Sequence, residues 1–190
     1  MVTVPACSQC NGVKSKNDDY LRDMLVVDIC CSEHPVAKAL LDGKVARSIR
    51  RNSSIVGRTV QSQGRIWPKY TPGDIHLGHD PTVKLEIERV EEIFRTMVRG
   101  LYFKLHQKRL PDDYVFRVSH LSNSEVKETV RGFNHMRANE PYILGTGVFA
   151  CLHDYDAKDE ATTYWLLSFY NGVFVTISTE PPNWSQIIRS

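Results

Sequence analysis

The chain has 190 residues, 42% hydrophobic and 24% charged, enough for a full-sized core in one domain or one domain with a small appendage. A formal net charge of +2 is too mild to argue for nucleic acid by itself. No apolar run nears the roughly 18 residues of a membrane span, so neither a transmembrane helix nor a membrane partner is expected.

Five cysteines, an odd number with Cys30 and Cys31 adjacent, do not make a disulfide framework. No signal-peptide pattern opens the chain, and the cytoplasm is the expected location.

Ser15-Lys-Asn-Asp18 reads as a helix start, with Asp18 and Asp19 near the positive end of the dipole. Tyr20, Leu21, Met24, Leu25 and Ile29 then recur at helical spacing, which predicts a helix over about 17–31. Pro35 suits a first turn, and Val36, Leu40, Leu41, Val45 and Ile49 extend a second helix to about Arg50. A third short helix is expected over 54–63.

From Gly64 the composition shifts. Gly and Pro punctuate short β-prone pieces, among them Arg65-Ile-Trp67 and Val83 to Ile87, predicting a small hairpin or a loop with edge strands. A long amphipathic helix follows over about 88–107. Tyr114–Val118 alternates as a strand, and 122–138 reads as a helix with Ser124 as its cap.

The remainder is rich in β-branched and aromatic residues. Asn171-Gly172 between two such runs marks a hairpin, because the two central turn positions need positive φ. The expected fold is α+β: N-terminal helices, a long helix, then an antiparallel C-terminal sheet of about four strands with helices on one face. Residues 1–63 form a helical region and 64–190 an α+β region, expected to pack as one globular unit.

The chemistry-bearing motif is Cys7-x-x-Cys10, followed at once by Asn11. Cys-x-x-Cys brings two thiolates to one side of a tight turn, but two ligands alone do not hold a structural zinc. Cys31-x-x-His34 would complete a ribbon spacing. A helix over 17–31 would place it some 22 Å away at 1.5 Å per residue.

The stretch Val4-Pro-Ala-Cys7-Ser-Gln-Cys10-Asn11, with Ser15 to Tyr20 after it, resembles the C-terminal half of the HNH endonuclease motif in a bacterial subgroup with a zinc-bound ββα unit. His34-Pro35, Lys44 to Arg51, and Val98 to Tyr102 followed by Arg109 to Tyr114 also resemble that subgroup. The resemblance implies that Cys7 and Cys10 are the second pair of a structural zinc site. It also implies that Asn11 stands where the last metal ligand of the motif stands. The first zinc pair and the general-base His have no counterpart here.

Phosphodiester hydrolysis by that route needs a base and a divalent metal. The chain as given is therefore expected to be catalytically incomplete and to hold no metal tightly. A structural zinc and a catalytic divalent ion belong to a longer form.

Lys14, Lys16, Arg47, Arg50 and Arg51 are the candidate nucleic-acid contacts, and DNA is the candidate partner. The stripe of Lys38, Lys44, Arg47, Arg50, Arg51, Arg58, Arg65 and Lys69 could neutralise phosphates, but reads first as a solvated helix face. His76 and His79 read as a loop feature, Asp154, Asp156, Asp159 and Glu160 as a solvated acidic turn, and His106, His120, His135 and His153 as scattered histidines. The functional expectation is an HNH-related protein with weak nucleic-acid binding. The alternative is a ligand-sensing or protein-interaction module, its pocket between the long helix and the sheet.

Overall fold

A computed structural model describes residues 8–31, 33–47, 65–70, 76–82, 86–135 and 140–183. For 8–13, 65–70 and 76–82 the description is of the backbone.

The first helix, α1, runs from Ser8 to Val27. It starts well before the expected Asn17, so Ser15 lies inside the helix rather than capping it. Tyr20, Leu21, Leu25 and Val26 are buried along one side. The helix gives way to a 3-10 turn at Ile29–Cys31. There the Asp28 carboxylate accepts the Cys30 backbone N–H at 2.8 Å.

Helix α2 spans Pro35–Leu40, with proline in its first turn as expected. Its cap is His34: Nδ1 accepts the Val36 N–H at 3.3 Å while Nε2 donates to the Thr146 carbonyl at 3.1 Å. One neutral tautomer satisfies both bonds. The helix widens into a π-turn over Leu41–Val45 and is helical again at Ala46 and Arg47. The expected third helix over 54–63 lies outside the described residues.

Strands β1 (Arg65–Tyr70) and β2 (His76–Thr82) pair antiparallel as a separate two-stranded sheet. Both are edges, so Pro68 and Pro81 are tolerated. Ile87, expected in a strand, instead begins the long helix α3, Ile87–His106. Its buried side is Ile93, Phe94, Val98, Leu101 and Tyr102. It stops at Gln107, whose φ of 54° is left-handed and whose N–H bonds the Phe103 carbonyl.

Strand β3 is Val115–Leu121, and helix α4 is Asn123–His135. The cap of α4 is Ser122, not Ser124: the Glu125 carboxylate accepts the Ser122 N–H at 2.8 Å and its hydroxyl at 2.5 Å. That is the carboxylate half of a capping box, the Glu125 and Val126 N–H groups going to the Ser122 carbonyl instead of its hydroxyl, and these bonds hold the Glu125 carboxyl below its usual range.

Strands β4 (Tyr142–Leu144), β5 (Phe149–Tyr155), β6 (Thr163–Phe169) and β7 (Val173–Glu180) follow. The sheet has five strands in the order β3-β7-β6-β5-β4, every neighbouring pair antiparallel. The β6–β7 turn is displaced by one residue from the expected Asn171-Gly172. Tyr170 and Asn171 take positive φ, 50° and 54°, and the Gly172 N–H bonds the Phe169 carbonyl.

Strand alternation sorts the two faces. Trp165, Leu167 and Phe169 of β6, and Val173, Val175 and Ile177 of β7, share one core with Cys151, Phe116 and the buried faces of α1 and α3. Residues on both sides of position 63 contribute to that core. Leu166 points to the opposite face yet is only 4% exposed. Helix α4, which lies beside β3 and β5 and buries Phe133, covers that side. The sheet is thus sandwiched between helices rather than covered on one face.

Candidate functional site

At one end of the sheet the Phe149–Phe169 pair meets the middle of α1. A cleft of about 220 Å3 opens there, floored by Leu21, Leu25, Met97, Phe149 and Phe169, with Asp18, Arg22 and Tyr170 at its polar side. Residues 18, 21, 22 and 25 share one face of α1 because they are three or four apart. Tyr170 is placed by the left-handed turn after β6, which folds its ring back against His34 at 5.4 Å between centroids.

The polar groups are differently engaged. The Arg22 guanidinium donates twice to the buried Asp23 carboxylate, at 3.0 and 2.6 Å, and once to Asp19. Burial alone would weaken its charge, and these bonds more than offset that. Asp18 has no such clamp. Burial pushes its carboxyl up, Lys14 one turn earlier opposes, and Asp19 adds to the rise. Burial also pushes up the Tyr170 phenol, with Cys31 adding and Arg22 opposing. The cleft therefore offers an apolar floor, a fixed cation committed to its own carboxylates, and a carboxyl and a phenol free to exchange hydrogen bonds with a guest.

The sequence-derived site residues fall elsewhere. Cys7, Arg50 and Arg51 lie outside the described residues. Cys10 and Asn11 belong to the backbone of the first turns of α1. Lys14 is half-buried and Lys16 exposed on α1, and Arg47 is exposed beyond the π-turn. Lys16 contributes its carbonyl to Arg89, which also donates to Asn17 and lies over the Tyr20 ring. Arg89 thereby ties α3 to α1.

The ribbon spacing Cys10…Cys31-His34 does not close. Cys10 to Val27 of α1 spans about 25 Å. Cys31 is fully buried with its thiol toward the Phe169 carbonyl at 3.8 Å, and both His34 nitrogens are engaged. Among the described residues no group of three or more His, Cys, Asp or Glu side chains is arranged to hold a metal ion. Among them, too, no helix is long and apolar enough to cross a membrane.

The acidic turn braces structure. Asp159 accepts the Tyr114 hydroxyl at 2.7 Å and the Thr162 hydroxyl at 2.6 Å, and Glu160 pairs with Lys108 at 2.5 Å.

The expected pocket between the long helix and the sheet did not include α1, whose Asp18, Leu21, Arg22 and Leu25 line the cleft beside Met97, Phe149 and Phe169. The available signal was Asp18 and Arg22 inside the same helical stripe as Leu21 and Leu25, polar groups on a face that otherwise packs. Tyr170 carried no signal, since it reads as the last residue of a strand. No family model, curated protein or solved structure matches this chain.

Proposed function

We propose that this chain is a small-molecule-binding module whose ligand sits in the cleft between α1, α3 and the Phe149–Phe169 end of the sheet. The observation that carries this reading is the cleft itself: apolar side chains below, with Asp18 and Tyr170 beside them as adjustable hydrogen-bonding groups. Its volume of about 220 Å3 lies below the roughly 300–1,000 Å3 of drug-sized pockets, which favours a small guest. A compact molecule with an apolar body and one or two donor groups suits it, the donors meeting the Asp18 carboxyl.

The test is a fragment screen followed by methyl NMR. Fragments of this type should perturb Leu21, Leu25 and Met97 methyl signals and bind equally at 50 and 500 mM salt. Val148 also lines the cleft, and Val148→Trp, which adds bulk there, should abolish binding. Failure of every fragment to move those methyls would overturn the reading.

A second reading rests on the position of α1. The resemblance to the HNH motif puts a metal ligand at a helix start, and Asn11 stands in the first turns of a helix. On this reading the chain is an HNH-related, catalytically incomplete domain. Cys7, Cys10 and Asn11 take metal in a longer form, and Lys14, Lys16, Arg47, Arg50 and Arg51 contact DNA. Salt separates the two readings. A phosphate binder loses affinity steeply between 50 and 500 mM salt, and an apolar cleft does not.

A further inference from the structure

The other end of the same helix–sheet interface holds two histidines that are far apart in sequence. His106 is in the last turn of α3, and His153 is in β5. Their rings meet edge to face with centroids 5.5 Å apart. The His106 ring also stacks on Tyr102 at 4.5 Å and meets the Tyr155 ring edge-on at 5.5 Å. His153 is 5% exposed and stacks on Trp165 at 4.9 Å. His106 Nε2 is buried with no hydrogen-bond partner among the described residues. The end of α3 is thus docked on β5 and β6 through imidazole and aromatic faces.

We propose that His106 and His153 form an acid-operated latch, closed when both rings are neutral and released when they take up protons, freeing the last turn of α3 from the sheet. A second proton on this pair would set two cations 5.5 Å apart in an apolar setting. A charged His106 carries an N–H on both ring nitrogens, and its buried Nε2 has no acceptor among the described residues.

Among the described residues, the charges around His106 do not rescue its charged form. On the α3 side stand Tyr102 and Lys108, and from the β5–β6 turn come Asp159 and Glu160. Glu160 favours a charged His106, but it is engaged by Lys108 at 2.5 Å. Asp159 is taken by Tyr114 and Thr162. On β5, Asp154 favours a charged His153, but it is the next residue along the strand and its Oδ1 accepts the Tyr155 N–H.

Burial accordingly holds His106 below its ordinary 6.5, with Glu160 opposing and Lys108 adding to the drop. Burial and His106 likewise hold His153 down. The direction follows from linkage. The released rings take protons near pH 6.5 while the docked rings do not, so docking is undisturbed above that value and is lost as pH falls below it.

Hydrogen exchange of the full chain, corrected for the intrinsic pH dependence, tests this. Between pH 7.5 and 5.5, protection of residues 101–107 should fall at least tenfold relative to residues 18–27 of α1. His106→Phe and His153→Phe, which keep an aromatic ring, should each remove that differential loss. Uniform loss, no loss, or the same differential loss in both variants would overturn the latch. Should neither variant fold, the wild-type imidazole signals decide. Both rings should titrate below pH 6.5 with a midpoint shared by the opening of 101–107, and titration at or above 6.5 would refute the proposal.

Discussion

Gly172 lies so close to the backbone carbonyl of Cys30 that a Cβ would overlap that oxygen. The contact joins the β6–β7 turn to the 3-10 turn after α1, and neither partner is the end of a flexible side chain. Gly172→Ala must therefore push the two segments apart. It should cost about 1–3 kcal/mol, the range for overpacking, seen as a lower urea midpoint at unchanged slope. Gly132, inside α4, has open space where its Cβ would go. Gly132→Ala should instead stabilise by about 0.4–1 kcal/mol. If both substitutions had the same sign, close approach would not be what demands glycine at 172.

A directed chain of hydrogen bonds is buried where β6 pairs with β7. The Thr179 hydroxyl donates to the Ala161 carbonyl at 2.6 Å and accepts both the Thr163 hydroxyl at 2.6 Å and its N–H at 3.0 Å. Thr163 in turn accepts the Trp165 indole N–H at 2.6 Å. Because Thr179 spends its proton on Ala161, the order of donors is fixed. Thr163→Val would strand the indole donor and should cost about 1–3 kcal/mol, whereas Thr163→Ser should cost less. The double variant Thr163→Val with Thr179→Val should lose less than the sum of the singles. Strict additivity in a denaturation cycle would show that the hydroxyls do not act as a network.

The three described thiols should differ in reactivity. Cys30 is exposed, Cys31 and Cys151 are buried. Burial first, with Asp28 and Cys30 adding, pushes the Cys31 thiol up to about 11, and burial pushes Cys151 up to about 12. At pH 8 about one Cys31 in a thousand would be thiolate, and fewer at Cys151. In a Cys7→Ser, Cys10→Ser background, a thiol reagent should therefore modify one cysteine rapidly and the other two only on unfolding. Rapid native-state modification of Cys31 would contradict its packing against Phe169.

Tyr114 provides a test at the alkaline side. Burial, then its hydrogen bond to Asp159, pushes its phenol up to about 12 from the ordinary 10. The unfolded chain releases this proton near pH 10 and the folded chain keeps it to about 12. Unfolding therefore releases a proton in that window, and stability falls as pH rises through it. Tyr114→Phe should flatten this part of the pH–stability curve, measured by urea midpoints from pH 9 to 11. An unchanged slope would mean that the phenol is not held by Asp159.

Where apolar spacing dominates, the sequence was legible. The stripe from Val90 to Leu105 set α3 almost to the residue, and the β-branched and aromatic runs on either side of Asn171-Gly172 marked the β6–β7 hairpin. The turn chemistry was read one residue late. Asn-Gly is the strongest hairpin signal, yet here Gly172 is needed for its approach to Cys30, and the left-handed positions fall to Tyr170 and Asn171. Ser15 lies inside α1 and does not cap it, because polar residues continue a helix as readily as they start one when the tertiary contacts lie further along, at Tyr20 and Leu21. The make-up of the cleft, beyond its place between the long helix and the sheet, and the histidine pair were opaque for a common reason. Each is assembled by register: Phe149 opposite Phe169, and His153 opposite Trp165, with α1 or α3 laid across. A linear pattern carries no record of which strands become neighbours.

The placement of β3 has a kinetic consequence. Strands β4 to β7 form a meander whose partners are close along the chain, so they can pair early. β3 reaches β7 only by closing a loop of roughly sixty residues. Such closure is a slow, late event in sheets of this kind. The strand that completes the sheet should thus be the last to join in refolding and the first to leave. Changes in β3, such as Val118→Ala, should chiefly raise the unfolding rate, whereas Leu167→Ala in β6 should chiefly slow refolding.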